Sequence, residues 1–298
     1  MKIIHLNIKN IEEINDDINL CLGFFDGVHL GHLKLIKKAK RCKGKLGVLS
    51  FEFSPQGGKS LKLITPIEDK VKIFEKLGVD YLFLLKVDKD LMDTVYIDFI
   101  NNCLNKLHPK SLILGEDFTF GKNRVGTRFV LKDLFKCHII DLEEKHGKKI
   151  SSSTIRELIE DGKIEIANKL LGRPFSVTNN AQKGFGKGRT LGFNTVNVPF
   201  GDEYVVPKFG VYLTSNLING KWYYGCTNVG VHPTLNELDK PIIEANLLNY
   251  DSYEEIKNPV TVKFIKFIRP EKHFKTVEEL QKQVLGDIQS LKKSLHIK

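Results

Sequence analysis

Apolar and polar positions follow two different patterns along this chain. From residue 17 to about 145, short apolar runs alternate with amphipathic segments of helical length. The predicted strands are INLCLGFF, KLGVLSFEF, VDYLFLLKV, KSLILGEDF and HIIDL, and the opening MKIIHLNIKN also alternates like a strand. The predicted helices are HLGHLKLIKKAKR, PIEDKVKIFEKLG, TVYIDFINNCLNKL and FVLKDLFKC. This alternation predicts a parallel α/β sheet with ligands at the carboxyl ends of its strands.

The pattern changes near residue 175. Two helical stretches, SSSTIRELIEDGK and IEIANKLLG, lead into short β-rich runs broken by Gly, Asn and Pro: GVYLTSNLI, KWYYGCTNVG, IIEANLLNY and VTVKFIKFI. That spacing predicts a small antiparallel β-barrel or sandwich. A terminal helix, TVEELQKQVLGDIQSLKKSL, follows it. We therefore predict one domain over residues 1–173 and a second over residues 174–298.

Length and cysteine content narrow the class of protein. The 298 residues suit about two domains, and no apolar run approaches the roughly 18 residues of a membrane span. The five cysteines are scattered and form no C-x-x-C pair. Such thiols indicate a reducing cytoplasm rather than a disulfide framework or a zinc site. We expect a monomer or a weak homo-oligomer.

The formal net charge of +10 raises the question of nucleic acid as a partner. The lysines, however, are spread along the whole chain and alternate with acids, as is typical of a solvated surface. No RNA- or DNA-binding signature accompanies them. We predict small-molecule partners, with no nucleic acid and no membrane; a basic RNA-binding or scaffolding protein remains as the alternative.

The strongest local signal is GFFDGVHLGH, in which a strand runs through a Gly-rich turn into a helix. His29 and His32 share one face at the start of that helix, where free N–H groups and the helix dipole favour anions. Donors at this place stabilise the charge that spreads over phosphates during nucleotidyl transfer. The other interpretation is a tight turn followed by core histidines. The turn contributes these candidate binding residues: Gly23, Phe25, Asp26 and Gly27.

Two further segments of the first half carry candidate residues. In ISSSTIRE, Ser152 and Ser153 supply hydroxyls near a helix start, Arg156 suits a phosphate, and Thr154-x-x-Glu157 has the spacing of a capping box; a capped surface helix is the alternative. GEDFTFG places an acid and two aromatics at a strand end, which suits a flat ring system or an ordinary core. Its candidate binding residues are Asp117, Phe118 and Phe120, with the two rings spaced for one side of a strand.

These motifs, together with LITPIEDK and GVDYLFLL, resemble the bifunctional riboflavin kinase/FAD synthetases of bacteria over residues 18–175. The resemblance implies a Rossmann-like nucleotidyltransferase that joins AMP from ATP to FMN, giving FAD. It implies that His29 and His32 stabilise the ATP phosphates and that Ser152, Ser153 and Arg156 complete the pocket. It also implies that Asp117, Phe118 and Phe120 accommodate the flavin. The sequence departs from the family at Phe24, where Asn is usual, and at Ser54, where His is usual.

The second half contains its own phosphate-type motif, GFGKGRTLGFNTVNV. Glycines expose backbone N–H groups to phosphates, while a hydroxyl and an amide oxygen suit a hard cation such as Mg²⁺; a solvated Gly-rich hairpin is the alternative. Farther on, Glu244 interrupts an apolar strand, as a base lining a cleft would. The candidate residues of the loop are Gly184, Gly186, Lys187, Gly188, Arg189, Thr195 and Asn197.

This half resembles the riboflavin kinase domain of the same family through GRPF, GKGRTLGF, GVYL, NVGVHPT, Glu244 and IRPEKHF, over about residues 175–290. The resemblance implies that Thr195 and Asn197 handle Mg²⁺–ATP and that Glu244 is the general base for the 5′-hydroxyl of riboflavin. FMN is then the product of the kinase reaction and the substrate of the adenylyl transfer, and FAD is the final product. Asn194 replaces a usual proline, and NYDSYEEIKNP lacks the usual D-L-Y-G. A transferase whose second domain binds flavin without kinase activity is therefore the alternative.

Overall fold

The computed structural model describes residues 1–53, 61–141, 144–145, 148–182, 195–231, 240–250, 256–272 and 274–295. The chain forms two compact units, Met1–Thr154 and Ile155–Lys298. The domain boundary at residues 173–174 stays a prediction.

The first unit alternates strands and helices. Its strands are β1 Lys2–Leu6, β2 Ile18–Leu22, β3 Lys45–Phe51, β4 Tyr81–Leu85, β5 Pro109–Gly115, β6 Thr119–Phe120, β7 Gly126–Thr127, β8 Cys137–Ile140, β9 Glu144–Lys145 and β10 Lys148–Lys149. Its helices are α1 Leu30–Lys40, α2 Ile67–Lys76, α3 Lys89–Asp93, α4 Tyr96–Phe99 and α5 Arg128–Leu134. A sixth helix, α6 Ser152–Glu160, begins at its end.

Within the described residues, the main sheet of this unit has the order β1-β4-β3-β2-β5-β8, and every pairing is parallel. From β2 the chain moves outward through β3 and β4, then returns to β5 and β8 on the other side. The strand order therefore reverses between β2 and β5. In open α/β sheets, ligands bind at this switch point, beyond the carboxyl ends of the strands.

Both faces of this sheet are buried, as its strands predict. All five residues of β2 are buried. Leu20 and Leu22 belong to one apolar cluster with Leu112, while Cys21 belongs to another with Ile113. Because successive side chains of a strand point to opposite faces, the two clusters lie on the two sides of the sheet. The predicted Rossmann-like architecture is confirmed.

The second unit begins with helices and continues as a sheet. It contains α7 Ile164–Leu171, β11 Phe175–Asn179, β12 Thr195–Pro199, β13 Gly210–Ile218, β14 Lys221–Val231, β15 Pro241–Leu247, β16 Val260–Pro270 and α8 Val277–Leu295. In the described segments the strands form one curled antiparallel sheet of order β11-β16-β13-β14-β15-β12. The predicted antiparallel barrel-type domain with a terminal helix is confirmed.

Two packed faces hold the second unit together. On one face, the ring of Phe264 lies 5.5 Å from that of Phe175 and 5.2 Å from that of Tyr212. On the other, Leu291 of α8 packs with Leu213. The helix thus covers a sheet face that would otherwise expose apolar side chains.

Two helices differ in local detail from the sequence prediction. The helix predicted over TVYIDFINNCLNKL is α4 followed by a wider π-helical turn, Ile100–Leu104. The capping box predicted at Thr154 and Glu157 is wrong, because α6 begins at Ser152 and Thr154 already lies inside it. Ser151 caps the helix instead, and its Oγ accepts a hydrogen bond from Thr154 N at 3.2 Å.

Candidate active sites

The switch point of the parallel sheet brings together two of the predicted motifs. The turn with the histidine pair follows β2, and GEDF begins at Gly115, the last residue of β5. These strands are direct neighbours, with Cys21 opposite Ile113. Their carboxyl ends therefore open onto the same crevice, where the sheet topology favours ligand binding.

The backbone of the turn after β2 is strained. Phe25 has φ 57°, Gly27 has φ 79° and Val28 has φ 38°. Glycine adopts such angles readily, whereas a positive φ is a true outlier for a β-branched residue such as valine. Strain of this kind, at about 1–3 kcal/mol per residue, persists only where the surroundings fix the conformation.

Hydrogen bonds from distant segments fix this turn. Asp26 Oδ1 accepts bonds from Ile64 N at 2.9 Å and Thr65 N at 3.1 Å. Ser152 Oγ donates to the carbonyl oxygen of Asp26 at 2.8 Å. With only 1% of its surface exposed, Asp26 lies inside the protein. The carboxylate, predicted to bind the cofactor, is thus placed to shape the turn from below.

Phe25 has a similar placement. It is fully buried, and its ring lies 5.7 Å from Phe74 and 4.9 Å from His32. A Cβ on Gly23 would lie 3.2 Å from this ring, so a glycine leaves it room. Phe25 thus supports the histidine from the core.

The two histidines form a stacked pair at the start of α1. Their ring centroids are 3.7 Å apart, with 20° between the ring planes. His29 is the N-cap residue, and its Nδ1 accepts a bond from His32 N at 3.4 Å. In the neutral ring this acceptor role leaves the proton on Nε2, which can donate to an anion. His29 is 6% exposed and His32 is half-buried. The stacking of the two rings confirms that the side chains share one face of the helix start.

Gly31 allows His29 to fold back over the helix start. A Cβ there would lie 3.1 Å from Cε1 and 3.2 Å from Nδ1 of His29. Both distances are tighter than ordinary van der Waals contacts. The glycine in H-x-G-H therefore has a steric role in seating the first imidazole.

The segment after β5 forms a turn rather than a longer strand. Phe118 N bonds to Gly115 O at 3.1 Å, and β6 contains only Thr119 and Phe120. The rings of Phe118 and Phe120 nevertheless stack, with centroids 5.9 Å apart. Phe120 is 7% exposed and contacts Phe99, as a core residue does. Phe118 is half-buried and Asp117 is exposed, so these two are open to a ligand at this edge.

The serines at the start of α6 have different surroundings. Ser152 is occupied in holding the turn, whereas Ser153 is exposed. Arg156 lies half-buried one turn into the helix, on the part assigned to the second unit. The three residues thus offer different degrees of access to a ligand.

The second unit places a row of polar side chains across three strands. Glu244 on β15 lies directly opposite Asn197 on β12 and Asn228 on β14. Directly opposed residues share one face of a sheet, so the three side chains point the same way. Thr195 lies two residues from Asn197, on the same face, and is exposed.

The side-chain amide oxygen of Asn197 is buried without a hydrogen bond from the described residues. The residue as a whole is 6% exposed. A buried polar atom costs about 1–3 kcal/mol when it has no partner. Amide oxygens are suitable ligands for Mg²⁺, which usually retains waters and substrate phosphates as its other ligands. The atom therefore fits a cation beside Glu244, which is half-buried.

The sequence analysis assigns no role to Asn228 of this row or to Glu271, which contacts it. Asn228 Nδ2 donates to Glu271 Oε1 at 3.3 Å. A Cβ on Gly230 would lie only 2.1 Å from the same oxygen, so the glycine makes room for the carboxylate. Both residues lie in motifs that carry the family resemblance, NVGVHPT and IRPEKHF, but their pairing depends on contact between segments far apart in the sequence.

Gly184, Gly186, Lys187, Gly188 and Arg189 lie outside the described residues. Among the described residues, no three His, Cys, Asp or Glu side chains are grouped as a metal site would require.

Comparison with protein families divides the chain as its two sites do. The family of FAD synthetases matches residues 11–154, and the family of riboflavin kinases matches residues 171–295. The first match contains the histidine turn and GEDF and ends two residues before Arg156, and the second contains Asn197 and Glu244.

Individual relatives match nearly the whole chain. The bifunctional riboflavin kinase/FMN adenylyltransferase of Bacillus subtilis is 35% identical, covering 97% of this chain and 96% of the relative. That of Listeria monocytogenes is 34% identical, with the same shares. A solved Streptococcus pneumoniae structure bearing the name macrolide-efflux protein has a TM-score of 0.86 at 27% identity, covering 96% of this chain and 97% of that one.

No helix in the described residues is both long and apolar enough to cross a membrane. The two family matches and the full-length relatives agree on one assignment. The chain belongs to the family of bifunctional riboflavin kinase/FMN adenylyltransferases.

Proposed function

We infer that this protein makes flavin cofactors in two ATP-dependent steps. Riboflavin is phosphorylated to FMN in the second unit, and FMN is adenylylated to FAD in the first, with release of pyrophosphate. One observation carries the inference: the matches to the two enzyme families fall on separate units, each with its own polar site.

For adenylyl transfer, an FMN phosphate oxygen attacks the α-phosphorus of ATP. The new P–O bond forms as the bond to the departing pyrophosphate breaks. His29 and His32 donate to the phosphates and stabilise the charge that develops there. The stacked imidazoles at an N-terminal helix end support this role, because the helix dipole adds to their attraction for anions.

Other residues of the first site orient the substrates. We propose that Phe118 and Asp117 contact the flavin portion of FMN, with Phe120 supporting Phe118 from the core. Ser153 and Arg156 are proposed to contact phosphate. Gly23 and Gly27 shape the turn, as do Phe25, Asp26 and Ser152, whose described contacts are within the protein.

For the kinase step, the 5′-hydroxyl oxygen of riboflavin attacks the γ-phosphorus of ATP, and ADP leaves. Glu244 accepts the hydroxyl proton. Asn197 Oδ1 and the Thr195 hydroxyl would hold Mg²⁺, which neutralises phosphate charge when bound. The buried amide oxygen supports this assignment. Gly184, Gly186, Lys187, Gly188 and Arg189 are proposed to cradle the phosphates.

The direct test is incubation of the purified protein with riboflavin, ATP and Mg²⁺, followed by chromatography of the flavins. Both FMN and FAD should appear. Conversion only when FMN is supplied would select the alternative, a transferase without kinase activity. Tight RNA binding with no turnover of ATP or flavin would favour the RNA-binding alternative.

Two substitutions test the division of labour. His32→Gln should reduce FAD formation by about 100-fold or more, as loss of a donor to transition-state charge does, and should spare FMN formation. Glu244→Gln should have the opposite effect. Loss of both reactions in each folded variant would contradict the two-site assignment.

We also propose a cytoplasmic location and a monomer or weak homo-oligomer. Five free cysteines support a reducing compartment. Gel filtration with light scattering would measure the oligomeric state.

A further inference from the structure

Lys70 is a buried cation directly below the turn that carries the histidines. It belongs to α2, and only 1% of its surface is exposed. Its Nζ donates to the carbonyl oxygen of Phe24 at 2.9 Å and lies 4.4 Å from the centre of the Phe24 ring. Ser50 Oγ, from β3, donates to the same carbonyl oxygen at 2.8 Å. Two donors thus converge on one backbone atom.

Lysine is a costly choice for this place. Burial lowers the pKa of Lys70 to about 8, while the negative charge of Asp26 in the turn opposes that shift. On its own helix, Asp69 precedes it and forms an ion pair with Lys72 at 3.3 Å. An unbranched apolar side chain could fill similar volume without burying a charge. The ammonium group therefore calls for a reason other than packing.

The position of the Phe24 carbonyl, to which Lys70 donates, gives that reason. Phe24 immediately precedes Phe25, where the strained stretch begins; the stretch ends at Val28, next to His29. Asp26 and Ser152 hold the middle of the turn, and Lys70 with Ser50 holds its start. Because only residues 25–28 separate Phe24 from His29, a shift of the Phe24 carbonyl would also displace the paired imidazoles.

We propose that Lys70 is a positioning residue for adenylyl transfer, holding the Phe24 carbonyl so that the strained turn presents His29 and His32 to ATP. This inference rests on the proposed role of the two histidines. Lys70 itself contacts no substrate in this proposal. Its effect is on the geometry of groups that do.

Such a role should affect the chemical step more than ATP binding. Small misplacements of catalytic groups are costly because the transition state requires near-ideal geometry, whereas ground-state binding tolerates more. Lys70→Met should lower kcat for FAD formation by at least about 10-fold and change KM for ATP by less than about 3-fold. Lys70→Arg, which keeps the charge and donors, should retain more activity than Lys70→Met.

The experiment compares wild type with Lys70→Met, Lys70→Arg and Lys72→Met. Lys72 lies two residues away on the same helix with 54% of its side chain exposed, so its variant is a matched control for loss of a lysine. FAD formation from FMN and ATP gives kcat and KM. Riboflavin phosphorylation in the other unit monitors the enzyme preparation, and thermal melting monitors folding.

A pH profile provides a readout that a purely structural role would not change. As pH rises through about 8, Lys70 loses its proton and its attraction to the Phe24 ring and Asp26. Wild-type kcat for FAD formation should therefore fall in that range. Arginine stays charged, so Lys70→Arg should lose this limb of the profile.

The outcomes separate the two proposals. A wild type that forms no FAD would overturn the proposed function, and this inference with it. If wild type forms FAD, a Lys70→Met kcat within 2-fold of wild type would overturn the inference alone, as would an equal loss in Lys72→Met. If Lys70→Met does not fold, the pH profile of kcat is the test. The role of Lys70 would be overturned if wild-type kcat does not fall near pH 8, or if kcat of Lys70→Arg falls in the same way.

Discussion

In the turn after β2, unfavourable backbone angles and buried charges are held in place by hydrogen bonds. Val28 has a backbone angle that valine rarely adopts, and Asp26 and Lys70 are charged groups with almost no exposure. Each feature alone would destabilise the protein. Together they fix one conformation of the segment that begins the helix of the histidine pair, as expected where positioning is more important than stability.

Lys70 gives the protein's stability a predictable pH dependence. Its pKa is about 8 in the folded protein against the ordinary 10.5. Between these values the unfolded chain binds more protons than the folded one, so the free energy of unfolding should rise with pH. Relative to Lys70→Met, wild type should gain about 2 kcal/mol between pH 7.5 and pH 9.5.

Urea unfolding at both pH values, followed by circular dichroism, measures this gain. The Lys70→Met protein is the reference for wild type, because the two proteins share every other titrating group. An identical pH dependence in the two proteins would show that Lys70 is not buried as a cation.

Helices α1 and α8 each contain a glycine, and the two glycines have different surroundings. In α1, a Cβ on Gly31 would press on His29, whereas nothing lies within 4 Å of a Cβ on Gly286 in α8. Alanine favours a helix over glycine by about 1 kcal/mol. Substitution by alanine should therefore impair activity in α1 and leave it unchanged in α8.

Gly31→Ala should leave the melting temperature unchanged or raised, yet lower FAD formation by about 10-fold or more because the imidazole is displaced. Gly286→Ala should raise the free energy of unfolding by about 0.5–1 kcal/mol and leave both reactions intact. Thermal melts and the two activity assays make the comparison. Full FAD formation by Gly31→Ala would argue against a strict position for His29.

An ion pair anchors α8 to the sheet of the second unit. Arg269 Nε and Nη2 donate to Asp287 Oδ2 at 2.9 and 2.8 Å, and Gln283 Nε2 donates to the other carboxylate oxygen. The side chains of Arg269 and Asp287 are only 14% and 8% exposed. Removal of one member of such a pair leaves a nearly buried charge without its partner.

Asp287→Ala should therefore cost the second unit about 3 kcal/mol. Asp202→Ala is the control, because its pair with Lys240 is exposed and should contribute less than about 1 kcal/mol. Trp222 is the only tryptophan of the chain and lies on β14, so its fluorescence reports unfolding of this unit. Equal losses in both variants would contradict the anchoring role of Asp287.

Across the whole molecule, burial should control cysteine reactivity. Cys21, Cys103 and Cys226 are buried, and burial raises the pKa of each thiol, to about 12 for the latter two. Cys42 and Cys137 are half-buried. Because the thiolate is the reactive form, the accessible thiols should react first.

A disulfide reagent applied to the native protein should label Cys42 and Cys137 well before the other three, and all five should react in denaturant. Mass spectrometry of the peptides identifies the labelled sites. Reductant should not change the melting temperature, since all five cysteines are free. Rapid native labelling of Cys103 would contradict the packing around it.

The architecture and the meeting of the two candidate motifs at one sheet edge could be predicted from sequence because both depend on local patterns. The alternation of apolar runs records which faces are buried, and this gave the two sheet types. H-x-G-H and GEDF follow strands β2 and β5, and parallel strands present their carboxyl ends at one edge. The stacking of His29 on His32 follows from a spacing of three residues at a helix start.

The roles within each site depended instead on contacts between distant segments. The amides that engage Asp26 belong to residues 38 and 39 positions away, and the carbonyl held by Lys70 lies 46 positions away. The alignment of Asn197, Glu244 and Asn228 depends on strand register, and the burial of Phe120 on its contact with Phe99. Local patterns specify which face of an element is buried, whereas tertiary packing selects the atoms that meet there, and here it separated buried residues such as Asp26 and Phe120 from exposed ones such as Asp117.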